Sequence, residues 1–351
     1  MRILIVDTCY PAFLASHYQA TPELARSPYE TQWRSLMGTF FGTADAYSHY
    51  LRELGHDSHE VVVNCEPLQQ AWAREHGLDS TSSEDVLLAQ VEDFRPDVIY
   101  LQNLHVLTDT TMTALRRSNA LVAGQIASAA PPDQRLRMFD LLLTSFPHYV
   151  ERFERAGVAA EYFRIGFDPR VLEQISDISS EHDVVFVGAL NGIRHRRGNR
   201  PIAYAARKLT LDVWGYDLRG RTPWSPLRAR YRGEAWGIDM FRILASSRIV
   251  LNRHITDARQ YANNMRLYEA TGVGSLLVTD AKENLADLFE PGREVVTYRS
   301  GHELVAQVRR YQADEDARRE IAAAGQARTL RDHTYAVRMS ELAEILERHR
   351  R

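Results

Sequence analysis

Residues 263–280 read NNMRLYEATGVGSLLVTD, and several residue types in that run can do chemistry together. Asn263, Asn264 and Arg266 stand at the start of a short helix expected over 264–271. A helix start offers free N–H groups and partial positive charge, and a guanidinium adds paired N–H donors; both suit phosphate. Glu269 follows about one and a half turns further in. A carboxylate there can accept hydrogen bonds from two vicinal ribose hydroxyls while the helix start holds phosphates. The same residues also read as a helix cap and a solvent-facing glutamate, and periodicity alone favours that alternative.

Other predicted strand ends in this half are cationic. After VVFVG, which ends on Gly188, comes ALNGIRHRRGNRP, with Arg194, Arg196, Arg197 and Arg200 in seven residues. After IVLN come Arg253 and His254. VWGYD places Trp214 and Tyr216 at another strand end, where aromatic faces could flank a base or pack in the core. One cluster such as RHRRGNR reads as a solvated loop. Three cationic or amide-rich strand ends together point to a polyanionic small ligand, most simply a nucleotide diphosphate.

In the first half, VIYLQNLHVL ends a strand with Gln102, Asn103 and His105. CYPAFLASHYQ offers His17, and GQIASAAP offers Gln125 and Ser128. His105 is the first candidate for a base and His17 the second. With 13 histidines in the chain, a structural or exposed role is the alternative for each. The only DxD is DED, Asp314 to Asp316, in a polar helical stretch that reads as a solvated face. No metal site is expected.

The elements that must position these residues alternate. RILIVD (2–7) is a short apolar strand, and residues 8–42 read as a long irregular segment rich in aromatic residues and Pro. Gly42 and Thr43 are expected to open a helix that Gly55 ends, before the strand EVVVN. Helix and apolar strand then alternate to about residue 162, stop over the polar stretch 163–183, and resume with VVFVGAL. From about residue 301 the chain reads as helical and charged. Such alternation predicts an α/β fold with doubly wound parallel sheets. Two such domains in tandem place a cleft between them, with ligands at the carboxyl ends of strands.

The totals exclude several classes. Formal net charge is −3, from 43 basic and 46 acidic residues, so overall charge recruits neither nucleic acid nor an anionic membrane. Cys9 and Cys65 form no CxxC pair, which argues against a zinc site or disulfide framework. The apolar run at the start is too short for a signal peptide, and no run reaches transmembrane length, so a cytoplasmic location is expected.

NNMRLYEATGVGSLLVTD, the later LFEPGREVVTYRSGHELVAQVRRY and the tail GQARTLRDHTYAVRMSELAEIL resemble the donor-binding half of GT-B glycosyltransferases. The resemblance is to the group 1, family 4-like branch that includes the CgeB-type spore-maturation proteins. It rests on an EA.G helix, a strand, and a PG.E loop, and spans most of residues 160–345. FGTADAYSHYLRELGHDSHEVVV is similar to the Gly-loop, helix and GH turn that open the first domain of these enzymes.

The resemblance implies two facing Rossmann-like domains: 1–165 for the acceptor, 166–333 for the nucleotide sugar, and a C-terminal helix at 334–351 packing back on the first domain. It implies ribose binding by Glu269 and pyrophosphate binding by the 262–265 amides, Met265 included. Arg194 or Arg253 would neutralise the leaving diphosphate in place of a metal. The family often has a glutamate eight residues before the ribose glutamate; here that position is Tyr261, which leaves the sugar contact open.

The function so implied is metal-independent transfer from a UDP-, dTDP- or GDP-sugar to an acceptor hydroxyl, with no other cofactor. A homodimer is compatible with it. A sugar-nucleotide 2-epimerase on the same plan and a non-enzymatic coat or assembly protein are the alternatives.

Overall fold

The computed structural model describes every residue except 81, 177, 178, 192–194, 196 and 351. The chain divides into two compact units, Met1–Arg164 with Tyr335–Arg351, and Ile165–Thr334.

The first unit is built on six parallel strands: β1 (Arg2–Asp7), β2 (Asp57–Val62), β3 (Val98–Leu101), β4 (Leu121–Gln125), β5 (Leu141–Thr144) and β6 (Ala159–Tyr162). Their order is β2-β1-β3-β4-β5-β6. The central strands β3, β4 and β5 are buried at every residue, which is why they read as unbroken apolar runs rather than alternating ones. One face of the sheet (Ile3, Ile5, Val98, Tyr100, Leu141, Leu143) shares a core with Tyr47 and Leu51 of the Ala46–Glu53 helix and with Met339, Leu342 and Leu346 of the last helix, Tyr335–His349. The chain's end is thus part of the first unit's core.

The second unit repeats the plan with β7 (His182–Val187), β8 (Asp212–Trp214), β9 (Tyr231–Gly233), β10 (Ser247–Leu251), β11 (Leu276–Asp280) and β12 (Val296–Tyr298). The order is β12-β11-β10-β7-β8-β9, again all parallel. Val184, Phe186, Ile249, Leu251, Leu276 and Val278 pack against Ile202, Leu304 and Val308 from the flanking helices. Both units are therefore doubly wound parallel sheets, as the alternation of elements predicts.

Residues 8–42 are not irregular. They form the helices Pro11–Ala20 and Tyr29–Met37, with a 3-10 turn at Pro22–Arg26 between them. Pro11 and Pro22 begin their helices and Pro28 caps the third, so the prolines that looked like breaks are starts. Tyr29, Trp33, Leu36 and Met37 are buried at helical spacing, and Trp33 Nε1 donates to the Glu60 carbonyl at 3.0 Å. The next helix begins at Ala46 rather than at Gly42 and Thr43: Gly42 and Ala44 have positive φ, and Thr43 Oγ1 instead donates to Gln102 Oε1 at 3.0 Å.

The stretch 163–183 also carries anchors. Phe163, Phe167 and Val171 are buried, and Phe167 N donates to the His333 carbonyl at 2.8 Å. Asp314 of the DED caps the Glu315–Asp332 helix by accepting from Ala317 N at 3.0 Å. Among the described residues no group of three or more His, Cys, Asp or Glu side chains is placed to hold a metal ion. None of the described helices is long and apolar enough to cross a membrane.

Candidate functional site

In the second unit the polar residues gather just past the carboxyl ends of the strands. Beyond β7 and β8 the ladder continues: Gly188 N donates to the Trp214 carbonyl at 3.1 Å, and Leu190 N to that of Tyr216 at 3.0 Å. A Cβ on Gly215 would lie 1.9 Å from the Gly188 carbonyl oxygen, so the two strand ends approach this closely only because residue 215 is glycine. That approach brings the loop after β7 against the loop after β8. Arg221 Nε then donates to the Leu190 carbonyl at 2.6 Å, and Asn191 Nδ2 to Asp217 Oδ2 at 2.7 Å.

Arg253 follows β10 and is buried. Its Nε donates to Asn199 Oδ1 at 2.8 Å and its Nη2 to the Ala189 carbonyl at 3.1 Å. Burial lowers its affinity for a proton, while Tyr298, Asp280 and Tyr216 nearby act in the opposite sense. Asn252, one residue earlier, is tied to the helix start: its Nδ2 donates to Asn264 Oδ1 at 3.1 Å, and Asn264 Nδ2 returns a bond to Asn252 Oδ1 at 3.0 Å. Asn264 Nδ2 also donates to the Arg253 carbonyl at 3.2 Å. The start of the Met265–Gly272 helix is thus fixed against the end of β10.

Asn263 is 3% exposed; its Oδ1 accepts from Tyr268 Oη at 2.9 Å, while its Nδ2 has no partner among the described residues. Glu269 does not face solvent: it is 6% exposed, with Oε2 2.8 Å from Arg266 Nη1. Burial pushes its carboxyl up and Arg266 opposes that shift. Arg266 Nη2 donates to Met240 Sδ at 3.1 Å, and its Nε has no hydrogen-bond partner among the described residues. His254 Nδ1 lies 2.7 Å from Asp280 Oδ1 at the end of β11. Burial would raise the Asp280 carboxyl, but His254 and Lys282 hold it below its ordinary value.

Arg253, Asn263, Asn264, Met265 and Glu269 therefore lie on two adjoining segments, with Tyr216 in electrostatic reach of Arg253. Tyr216 pairs with Trp236, ring centroids 5.5 Å apart. Trp214 is only 9% exposed, and its centroid is 4.9 Å from His182, which begins β7; the ring therefore turns back along the sheet, away from the carboxyl edge. Arg194, like Gly192 and Arg196, lies outside the described residues.

In the first unit His105 is exposed after β3, with Nε2 3.0 Å from the Ala129 carbonyl. His17 sits on the Pro11–Ala20 helix, its Nε2 3.1 Å from Ser35 Oγ, and burial lowers its proton affinity. Each histidine is held by a different segment. Gln125 Oε1 accepts from Tyr47 Oη at 2.9 Å and Tyr100 Oη at 2.8 Å, which commits it to the fold.

Three side chains stand out that sequence reading did not single out. Asp7, the last residue of β1, is pushed up to about 6 by burial, with the Thr8 N–H pulling the other way. Asp280 and Arg221 belong to the second unit's edge. The signals were present, an acid ending RILIVD and another ending SLLVTD, but an acid after a strand is common in loops that do nothing.

Residues 194–344 match a family model described as glycosyl transferase-like. No curated protein matches the chain. Among solved structures, the sucrose-phosphate synthase of Thermosynechococcus elongatus is 10% identical with a TM-score of 0.60, covering 99% of this chain and 99% of its own. Anabaena HepE in complex with UDP-glucose is 15% identical with a TM-score of 0.60, over 99% of this chain and 100% of its own. AviGT4, a glycosyltransferase involved in avilamycin A biosynthesis, is 14% identical with a TM-score of 0.59, over 99% and 97%. The fold is that of the GT-B glycosyltransferases, residues 194–344 carry the pattern of the glycosyl transferase-like family, and the two together support a glycosyltransferase.

Proposed function

We propose that the protein moves a sugar from a nucleotide-diphosphate sugar to an acceptor hydroxyl, with the second unit holding the nucleotide sugar and the first holding the acceptor. One observation carries the reading. Arg221 Nη2, Asn263 Nδ2 and Arg266 Nε are buried N–H groups without hydrogen-bond partners among the described residues, and they lie in the loop after β8 and at the helix start after β10. A buried unpaired donor costs about 1–3 kcal/mol, so several on one edge imply a ligand rich in acceptors. A diphosphate meets that need, and the start of the Met265–Gly272 helix adds its free amides.

In this reading the 263–265 amides and Arg253 hold the diphosphate; the Ala262 N–H, expected from sequence to join them, instead donates to Asn284 Oδ1 at 2.6 Å. Arg266 engages Oε2 of Glu269, which leaves Oε1 to accept from the ribose hydroxyls. The Tyr216–Trp236 pair, packed ring on ring, offers an aromatic face to the base. The acceptor oxygen bonds to the anomeric carbon, the bond from that carbon to the phosphate oxygen breaks, and its electron pair stays on the leaving diphosphate. The acceptor's proton has three candidate destinations: His105, Asp7 or the departing phosphate. Arg253 balances the leaving charge, the role that a metal fills elsewhere. Within the family, the EATG helix and PGRE loop support the CgeB-type branch.

A panel of UDP-, dTDP- and GDP-sugars followed by thermal unfolding tests the reading. A true sugar nucleotide raises the midpoint by mass action. No shift from any of them sinks it. Unchanged transfer in excess chelator is expected.

A further inference from the structure

The unpartnered groups on the second sheet's edge differ in kind. Those of Arg221, Asn263 and Arg266 are N–H donors; that of His254 is Nε2. Asp280 Oδ1 accepts from the His254 backbone N at 3.0 Å and lies 2.7 Å from its Nδ1. Its other oxygen lies 3.3 Å from Lys282 Nζ. Asp280 is thus held as a carboxylate, with no proton to give, and the proton in its contact with the ring belongs to Nδ1. In the neutral ring Nε2 then carries a lone pair and accepts. The His254 side chain is 1% exposed, so this acceptor is withdrawn from bulk water.

The diphosphate of a nucleotide sugar has no proton to offer that lone pair. A sugar hydroxyl has one. We propose that His254 Nε2, oriented by Asp280, accepts a hydrogen bond from a hydroxyl of the transferred sugar and helps set which sugar is taken. This rests on the nucleotide-sugar reading above. The hydroxyl acceptor then comes from the segment just past β10, and Asp280 is its positioning residue.

Calorimetry on the full chain separates the two ideas, using UDP against UDP-glucose and GDP against GDP-mannose. The readout is the ratio of affinities within a pair. His254→Phe keeps a ring in place but removes Nε2; it is expected to lower the ratio roughly fivefold to tenfold, the worth of one hydrogen bond, and to leave nucleotide affinity unchanged. Asp280→Asn leaves the ring but releases its tautomer, and lowers the same ratio; it carries the test if the Phe variant does not fold. An unchanged ratio in both variants overturns the proposal. Equal losses for nucleotide and sugar nucleotide also overturn it, because the imidazole would then hold phosphate. Wild-type protein that binds neither pair overturns the nucleotide-sugar reading, and this inference with it.

Discussion

Asn252 and Asn264 hydrogen-bond to each other in both directions, amide nitrogen to amide oxygen, at 3.1 and 3.0 Å. The first directly follows β10 and the second stands at the N-cap position of the Met265–Gly272 helix, so this one pair sets where the helix begins relative to the sheet. Asn252 is buried, and it also joins its neighbours: its Nδ2 reaches Thr279 Oγ1 at 3.1 Å and its carbonyl accepts from Tyr298 Oη at 2.8 Å. Asn264→Ala removes both halves of the reciprocal pair. It is expected to cost about 1–3 kcal/mol of stability. Saturating UDP should recover less of the lost melting temperature than in wild type, because the helix start is no longer aimed. Full recovery would mean that the pair serves stability alone.

Arg266 and Glu269 make a second dependent pair, both nearly out of solvent at 13% and 7% side-chain exposure. Removing one partner strands the other. Arg266→Met is expected to cost about 3–5 kcal/mol, since an unpaired buried carboxylate remains. Adding Glu269→Gln should return much of that loss while still weakening nucleotide binding. Denaturant midpoints for the single and double variants measure the coupling. Additive effects would show that the two side chains do not act together.

The alternation of elements was legible in the sequence because strands buried on both faces, such as VIYL and LLLT, leave unbroken apolar runs. The Pro-rich opening was not. There the helical stripe of Tyr29, Trp33, Leu36 and Met37 is interrupted by buried Gln32, and Pro marks starts rather than breaks. Glu269 could be placed on its helix from sequence, but its burial could not, because every residue of that helix from Leu267 to Gly272 is buried by tertiary packing and no polar face remains. Asp7 and Asp280 escaped notice for a related reason: their surroundings come from neighbouring strands far away in sequence.

In the proposed transfer, Asp7 and His105 are the two side-chain candidates for the acceptor's proton. A carboxyl pushed up to about 6 by burial sits close to the working range of a base, whereas His105 is exposed and already engaged with the Ala129 carbonyl. Asp7→Asn is therefore expected to lower transfer about 100-fold at pH 7, and to remove an acid limb near pH 6 from the rate profile. His105→Ala should cost less than about tenfold and keep the limb. Initial rates from pH 5 to 8 decide between them, and a limb that survives Asp7→Asn but disappears in His105→Ala reverses the assignment.

Glu60 makes the stability of the first unit depend on pH in an unusual direction. It lies on β2, 2% exposed, and burial pushes its carboxyl up to about 8 although the Ser48 hydroxyl and N–H both bond to it. The folded chain therefore holds this proton more tightly than the unfolded one. The stabilisation is complete below the ordinary glutamate value of 4.5 and is lost as pH rises towards 8 and beyond. A shift of that size corresponds to something on the order of 5 kcal/mol. Glu60→Gln keeps an acceptor for the Ser48 N–H and cannot ionise. Its denaturant midpoint should fall much less than that of wild type between pH 5 and pH 8.5. Asp7 contributes in the same sense over a lower, overlapping window, from its ordinary 3.8 up to about 6, so the wild-type profile should fall more steeply below pH 6 than above it. Parallel pH profiles for wild type and Glu60→Gln would mean that Glu60 keeps its charge in the folded state, stabilised by Ser48 beyond what burial takes away.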